Sequence, residues 1–323
     1  MYHVILSTDK VLLSKDLQIL NKMKIIKKII ILLGLLAFVS CTWTETKPLD
    51  FKNTPPWEQD VNESYWAQLR TYKEGRHKLS YAVFNNASSR PAGEKDFLRS
   101  LPDSLDYVSL ANSDRISEAD ISDIAVLHKK GTKVLYCVDF ASMDESEMKD
   151  GTAMENCIDR AAERVRTLRL DGFSFTGKAK AGDPSAEALA RRLVDMLLSV
   201  KKDGQTIVFE GNPLFVPSDR RGKIDYYAIA TENLSTVLEI EREIASATGY
   251  IGLPARKIIV SSVAGKNLKS LSGEEESSII VSAEIVNKNS TLAGFAVHDA
   301  GGDYNHSVRN YHNICSAINL LNQ

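Results

Sequence analysis

Residues 170–178 read LDGFSFTGK, a short stretch with aromatic side chains at positions 173 and 175. The pattern predicts a β-strand over residues 172–176. The eight strands that the chain predicts are mostly continuous apolar runs rather than strict alternations of apolar and polar residues. A continuous apolar run of this length is typical of a parallel strand that is covered on both faces.

Seven further stretches of the same kind lie on either side of this strand, and helical patterns separate them. Ser117 followed by Asp120, for example, resembles a capping box at the start of a helix. Eight strands alternating with helices over about 250 residues predict an α/β fold with a single (β/α)8 TIM barrel. The alternative is a doubly wound open sheet, although no GxGxxG motif follows the first strand. The other predicted strands are 77–84, 105–110, 133–140, 206–210, 226–230, 257–263 and 292–298.

The N-terminal segment has the features of an export signal. Residues 23–41 read MKIIKKIIILLGLLAFVSC, with lysines first, an apolar run of about eleven residues next, and Ser40 before Cys41. The run is too short to span a bilayer, which needs roughly twenty residues. The ending resembles the bacterial lipobox, which implies that Cys41 is lipidated. The predicted division is a misassigned start over 1–22, a signal peptide over 23–40, a lipidated tether over 41–62 and a barrel domain over 63–323.

Composition and charge exclude several classes of function. The chain has 43% hydrophobic and 25% charged residues, as expected of an ordinary globular protein. Residues 1–40 contain six Lys and two Asp, so the rest carries 34 basic and 40 acidic residues. This acidic surplus argues against binding to nucleic acid and to anionic lipid headgroups. Cys137, Cys157 and Cys315 are predicted to be buried free thiols, with oxidation of one pair in an exported protein as the alternative. The lack of a CxxC or His/Cys cluster predicts no metal, and no cofactor is expected.

Residues 171–178 resemble the strand-4 motif of glycoside hydrolase family 18, Asp-Gly-x-Asp-x-Asp-x-Glu. The resemblance implies a TIM barrel in which the final Glu protonates the leaving oxygen and the preceding Asp orients the N-acetyl group that attacks. This chain keeps Asp171 and Gly172 but has Ser174, Thr176 and Lys178 at the three distal carboxylate positions. A lysine, with a pKa of about 10.4, is a poor proton donor at neutral pH. The degenerate motif therefore predicts that the family's hydrolytic mechanism is lost.

The resemblance extends over most of residues 60–320. Residues 65–74, 101–110 and 130–135 are similar to lipoproteins of Bacteroides-type gut bacteria that resemble family 18 endo-β-N-acetylglucosaminidases and belong to glycan-utilisation operons. This similarity implies an outer-membrane lipoprotein that faces the cell exterior or the periplasm. Its implied ligands are N-glycans or other N-acetylglucosamine-containing glycans, and its implied partners are hydrolases and an outer-membrane importer.

Polar and aromatic residues after the strands predict a glycan-binding rim at the barrel mouth. The preferred hypothesis is a non-catalytic glycan-binding lipoprotein. One alternative is an active glycosidase whose acids have moved, for example to Asp139 and Glu210. The other is a scaffold protein that binds no sugar. The predicted rim residues are Asn85, Asn86, Phe140, Glu210, Asn212, His298, Asp299 and Tyr304.

Overall fold

The computed structural model describes residues 63–86, 91–180, 182–270 and 272–322. The predicted signal peptide, the lipidation site Cys41 and the tether lie outside the described residues. Among the helices that are described, none is both long and apolar enough to cross a membrane.

Eight parallel strands form a closed barrel. Each strand pairs with the next in the chain, and the last strand pairs with the first to close the ring. The predicted (β/α)8 barrel is confirmed, and the open-sheet alternative is wrong because the edge strands of such a sheet are here paired with each other. The barrel strands are β1 (Leu79–Phe84), β2 (Tyr107–Leu110), β3 (Lys133–Asp139), β4 (Gly172–Thr176), β5 (Thr206–Gly211), β6 (Tyr226–Ile229), β7 (Ile258–Val263) and β10 (Gly294–His298).

Helices surround the barrel, and one segment differs from the regular alternation. The polar stretch after β7 forms an antiparallel hairpin of β8 (Asn267–Lys269) and β9 (Glu275–Ser277) before the next helix begins. Its polarity fits a short surface hairpin, because few of its side chains are buried. The α-helices are α1 (Glu63–Glu74), α2 (Glu118–Lys129), α3 (Glu145–Lys149), α4 (Gly151–Thr167), α5 (Pro184–Val200), α6 (Val237–Ala245), α7 (Ser278–Lys288) and α8 (His312–Leu321).

Two layers of buried side chains hold the barrel together. Side chains alternate between the two faces of a strand, so each barrel strand contributes one set to the interior and one set to the helix layer. On β4, Phe173 and Phe175 pack in the core between strands and helices, whereas Ser174 faces the interior and contacts Ser109 of β2. The interior cluster consists of Tyr81, Tyr107, Leu135, Val208, Ala228, Ile259 and Ala296.

Three aspartates that directly precede β2, β4 and β6 fasten the N-terminal end of the barrel. Each carboxylate accepts a hydrogen bond from a backbone N–H near the start of the preceding strand. The donors are Ser80 for Asp106, Val134 for Asp171 and Ile207 for Asp225, each at 2.8 Å. Two histidines add to this arrangement, since His77 Nε2 lies 2.7 Å from Asp106 Oδ1 and His128 Nε2 lies 3.1 Å from Asp171 Oδ2.

The His77–Asp106 pair predicts a pH dependence of stability. The hydrogen bond to Asp106 raises the pKa of His77 above its usual value. A raised folded-state pKa stabilises the protein below the unfolded pKa of about 6.5, and that contribution is lost as the pH rises through the folded pKa. The stability difference between the wild type and His77→Gln should therefore be larger at pH 5.5 than at pH 8.5, by on the order of 1 kcal/mol. Urea unfolding at both pH values measures it, and an equal difference at both would contradict the pairing.

Candidate functional site

A cavity of about 400 Å³ opens at the C-terminal ends of the barrel strands. This is the end of a TIM barrel at which active sites are built. Strands β1 to β6 and β10, with the loops that follow them, contribute to its wall. The lining residues are Val83, Ala111, Cys137, Asp139, Ala141, Thr176, Gly177, Glu210, Gly211, Asn212, Ala230, Glu232 and His298.

Strand β4 presents hydroxyl groups where the motif of the resembling family has carboxylates. The Oγ atom of Ser174 lies 2.7 Å from Ser109 Oγ in the barrel interior, and neither residue is exposed. Thr176, one step nearer the mouth, donates its hydroxyl hydrogen to Asp139 and accepts a hydrogen bond from the Ala141 N–H at 3.0 Å. The interior of β4 therefore carries no acid that could protonate a leaving group.

The position of the family's general acid lies at the edge of this site. Lys178 follows β4 by two residues and is exposed, and it does not line the cavity. Asp171 lies at the other end of β4, where it holds the Val134 N–H and His128. The two ends of the motif thus serve different parts of the barrel.

Asp139, Thr176 and Glu210 occupy the same level on three adjacent strands. Asp139 is in register with Thr176, and Thr176 is in register with Glu210. Neighbouring strands lie about 4.8 Å apart, so the Cα atoms of Asp139 and Glu210 are about 10 Å apart. Two carboxylates thus flank the threonine of β4 at the mouth.

Glu210 is held from below by a tyrosine of the interior cluster. The Tyr81 hydroxyl donates to Glu210 Oε1 at 2.6 Å, and both residues are buried. Burial, and then the charge of Glu210, raise the pKa of Tyr81 well above its usual value, so Tyr81 remains a hydrogen-bond donor. Burial and Glu210 also raise the pKa of the Cys137 thiol. Cys137 is therefore a neutral thiol at neutral pH, and it is not an activated nucleophile.

Several predicted rim residues lie around the opening of the cavity and carry polar atoms that could form hydrogen bonds with a ligand. Asn212 Oδ1 accepts a hydrogen bond from the Leu214 N–H at 3.0 Å, while its side-chain NH₂ points to no partner in the described chain. His298 lines the cavity at the end of β10, and Asp299, the next residue, is exposed with a left-handed backbone (φ 50°). Whether Asn212, His298 and Asp299 bind a glycan stays a prediction.

The amide pair after β1 serves mainly to join loops. Asn86 is buried, and it exchanges hydrogen bonds with the Asn112 backbone at 2.8 and 3.2 Å. Its amide is therefore occupied, which corrects the expectation that Asn86 belongs to the rim. Asn85 is exposed and accepts a hydrogen bond from Asn112 Nδ2 at 2.6 Å.

The aromatic part of the predicted rim needs correction. Phe140 is only 1% exposed and packs edge-on against Phe175 at 6.4 Å, on the helix side of the barrel. Tyr304 packs edge-on against Tyr311 at 5.3 Å and does not line the cavity. Alternation could have revealed the first error, because Asp139 faces the interior and its neighbour must then face outwards. Among the described lining residues, His298 has the only ring.

The remaining wall of the cavity could not be recognised from residue types. It includes four small apolar residues at inward-facing positions near the strand ends: Val83, Ala111, Ala141 and Ala230. Glu232 also lines the cavity, and the sequence does place this carboxylate shortly after a predicted strand. Cys137 is buried, as predicted, but Cys157 and Cys315 are half-buried. Within the described ranges no three His, Cys, Asp or Glu side chains are grouped closely enough to hold a metal ion.

Residues 44–172 match the family model described as glycoside hydrolase family 18, BT1044-like. The chain is similar to this family. The match ends at Gly172 and so stops before Ser174, Thr176 and Lys178, the positions at which the family 18 motif is degenerate in this chain. Comparison with curated protein sequences gives no match.

Solved structures of family 18-type proteins share the fold of this chain. A structure of BT1044 with a Glu-to-Gln substitution superimposes with a TM-score of 0.67 at 18% identity, covering 83% of this chain and 97% of BT1044. An endo-β-N-acetylglucosaminidase from Cordyceps militaris superimposes with a TM-score of 0.61 at 15% identity, covering 80% of this chain and 95% of the Cordyceps chain. A chitinase from Bacteroides thetaiotaomicron superimposes with a TM-score of 0.57 at 12% identity, covering 76% of this chain and 97% of the chitinase chain. At these identities the likeness establishes the fold.

Proposed function

We propose that this chain is a family 18-like barrel that binds N-acetylglucosamine-containing glycans without hydrolysing them. The observation that carries the proposal is the composition of the mouth. The cavity keeps Asp139, Glu210, Asn212 and His298 as polar contacts, while the inward positions of β4 have hydroxyl groups in place of acids. Binding a sugar needs hydrogen-bonding groups, whereas cleaving it also needs a proton donor near the glycosidic oxygen.

The geometry of the mouth suits hydroxyl-rich ligands. Glu210 receives the Tyr81 hydroxyl on one oxygen, which leaves the other to accept a hydrogen bond from a sugar hydroxyl. A buried carboxylate that is held in place in this way loses little conformational entropy when it binds. The volume of about 400 Å³ is near the lower end of the range of roughly 300–1,000 Å³ for ligand sites. We therefore expect the terminal sugars of a glycan, rather than a whole branched glycan, to enter.

Known ligands of structurally similar proteins support this ligand class. The Cordyceps militaris endo-β-N-acetylglucosaminidase has been crystallised, as a double mutant, with fucosyl-N-acetylglucosamine-Asn, and YKL-39 has been crystallised in the presence of chitooligosaccharides. Both ligands contain N-acetylglucosamine. We further propose that the protein is lipidated at Cys41 in the outer membrane and passes glycans to partner hydrolases or an importer. The basis for this is the N-terminal sequence and the resemblance to glycan-utilisation lipoproteins.

A second candidate function is hydrolysis by relocated acids. Asp139 and Glu210 flank Thr176 at one level of the mouth, with Cα atoms about 10 Å apart. Inverting glycosidases place their two carboxyl groups about 6.5–9.5 Å apart, so this function requires the side chains of Asp139 and Glu210 to hold their carboxyl groups within that range. Tyr81 donates a hydrogen bond to Glu210 Oε1 at 2.6 Å and so holds this carboxylate in position at the mouth.

Calorimetric titration with N-glycans and chitooligosaccharides, followed by mass spectrometry of the recovered sugar, separates these functions. We expect saturable binding and intact glycan. Glu210→Gln and Asp139→Asn should each weaken binding at least about tenfold, because hydrogen bonds to a charged group contribute about 1.5–3 kcal/mol.

Glu155→Gln is the matched control, since Glu155 is an exposed carboxylate on α4, outside the mouth. The Glu155→Gln variant should bind the glycan with the same affinity as the wild type. Cleaved glycan that disappears in Glu210→Gln would replace the proposal with the relocated hydrolase. Neither binding nor cleavage would favour a scaffold role.

A further inference from the structure

A depression of about 1030 Å³ lies at the N-terminal end of the barrel, opposite the mouth. Tyr107 and Tyr226, at the starts of β2 and β6, line it, and their rings lie 6.0 Å apart. Basic side chains from three stretches of the chain also line it: residues 70–78, Lys133 and Arg256. We call this surface the cationic depression and define it by the five of these that form no ion pair with a described residue: Lys73, Arg76, Lys78, Lys133 and Arg256.

Neutral groups hold three of these cations in place. Lys73 Nζ donates to Thr132 Oγ1 at 2.7 Å, and Lys78 Nζ donates to two backbone carbonyl oxygens at 2.5 and 2.6 Å. The Lys133 ammonium lies 5.4 Å from the centre of the Tyr107 ring. These contacts fix the positions of the charges but do not neutralise them. An anion that enters the depression would therefore meet preorganised positive charge.

The remaining two cations are free to contact a ligand. Arg76 and Arg256 are exposed and have no hydrogen-bond or ion-pair partner within the described residues. Two more basic residues at the edge, Arg70 and His77, pair with Glu63 and Asp106. Glu74 is the one carboxylate among the lining residues.

Arg76 and Lys78 also lie close enough to repel each other. Burial, and then the charge of Arg76, lower the pKa of Lys78. Burial also lowers the pKa of Lys73 to about 8, against the opposing effect of Asp106 and Asp103. An anion near Arg76 and Lys78 would relieve the repulsion between these two, because an opposite charge within a few ångströms favours the protonated amine.

We propose that the cationic depression binds a phosphate group, supplied either by an anionic lipid headgroup or by a soluble phosphorylated ligand. A phosphate offers several acceptor oxygens, which match two guanidinium groups and three ammonium groups. Tyr226, which also lines the depression, carries a hydroxyl group that can donate a further hydrogen bond. The acidic surplus of the whole chain does not reveal this surface, because the charges that matter to a ligand are those within about 10 Å of it.

The course of the chain favours the lipid headgroup as the source. Helix α1 begins at Glu63, whose carboxylate lies 2.6 Å from Arg70 at the edge of the depression. The segment before Glu63 carries the predicted lipidation site Cys41, only 22 positions earlier in the chain. A headgroup bound here would turn the mouth of the barrel away from the bilayer.

The test compares the full-length protein with the double variant Arg76→Gln/Arg256→Gln, which removes two exposed charges without breaking a described contact. Binding is measured by calorimetry with inorganic phosphate and with pyrophosphate. Co-sedimentation uses vesicles of phosphatidylcholine alone or with phosphatidylglycerol, and the phosphatidylcholine value is the baseline for the lipid anchor. The control is Lys95→Gln/Arg115→Gln, which removes two exposed charges near the opposite end of the barrel.

We expect Arg76→Gln/Arg256→Gln to bind the phosphate-containing probe at least about tenfold more weakly than the wild type, because each basic residue near an anionic surface contributes about 1 kcal/mol. The control variant should bind it as tightly as the wild type. Loss of phosphate or pyrophosphate binding would assign a soluble ligand. Loss of only the additional binding to phosphatidylglycerol vesicles would assign a lipid headgroup. No binding in either arm, or an equal loss in the control, would overturn the proposal. Because glycan binding at the mouth is measured separately, failure of either proposal leaves the other testable.

Discussion

Gly172→Ala is expected to lower the free energy of unfolding by more than about 4 kcal/mol, which is large against the 5–15 kcal/mol that stabilises a typical domain. A Cβ atom at position 172 would lie 1.9 Å from the Thr206 carbonyl oxygen and 2.7 Å from the Thr206 nitrogen. The backbone there also has φ +143°, which side chains rarely adopt. Strands β4 and β5 would have to separate at their first paired residues, Gly172 and Thr206.

Urea unfolding followed by far-UV circular dichroism measures this effect. Gly204→Ala is the control, because Gly204 also has a positive φ of +82° but a Cβ atom there would meet nothing within 4 Å. It should cost only about 1–2 kcal/mol, the cost of a left-handed residue. A Gly172→Ala variant as stable as Gly204→Ala would show that the two strands can adjust at this point.

Ser174→Asp is expected to destabilise the barrel by about 3–5 kcal/mol, although it restores the family 18 residue at this position. Ser174 is fully buried and contacts Ser109 Oγ at 2.7 Å. A carboxylate there would be buried without a cation to pair with it, and a buried unpaired charge costs several kcal/mol. Glu210, already present in the same interior, would add repulsion. The loss of stability caused by Ser174→Asp should be smaller at pH 4.5 than at pH 7.5. Burial raises the pKa of the new carboxyl group, and its neutral form costs less to bury than its charged form.

Ser174→Ala is the matched control, since it removes the hydroxyl pair with Ser109 and adds no charge. We expect it to cost at most about 1.5 kcal/mol. Thermal and urea unfolding at both pH values provide the measurement. If Ser174→Asp proves as stable as Ser174→Ala at pH 7.5, the barrel interior must accommodate a buried charge. This chain could then accept the first of the family's strand-4 carboxylates without loss of the fold.

The strand-4 motif contains positions that hold the barrel together and positions that lie near the mouth, where the family has its carboxylates. Asp171 and Gly172, which the chain shares with the family, lie at the N-terminal end of β4, where they hold β3 and pack against β5. The positions that differ, Ser174, Thr176 and Lys178, lie nearer the mouth. The retained residues therefore explain the retained fold and carry no information about catalysis.

The eight strands could be predicted because burial on both faces leaves a local signal in each strand. The Ser117–Asp120 capping box was also readable, since both of its hydrogen bonds lie within four residues. The rim was harder to predict. Phe140 and Asn86 follow strands as expected, but the first packs on Phe175 and the second on Asn112. Position after a strand does not say which way a side chain points, and loop contacts decide whether its polar atoms are already occupied.

The sequence by itself determined the barrel, the degenerate strand-4 motif and the polar character of several strand ends, because each is encoded within about ten residues. Only the tertiary structure decided which of those residues meet. It brings Asp139 and Glu210 to one level beside Thr176, and it gathers the cationic depression from three distant parts of the chain, residues 73–78, Lys133 and Arg256. The reason is physical: closing the barrel juxtaposes side chains whose separation in the sequence has no local signature, and an average charge conceals where the individual charges lie.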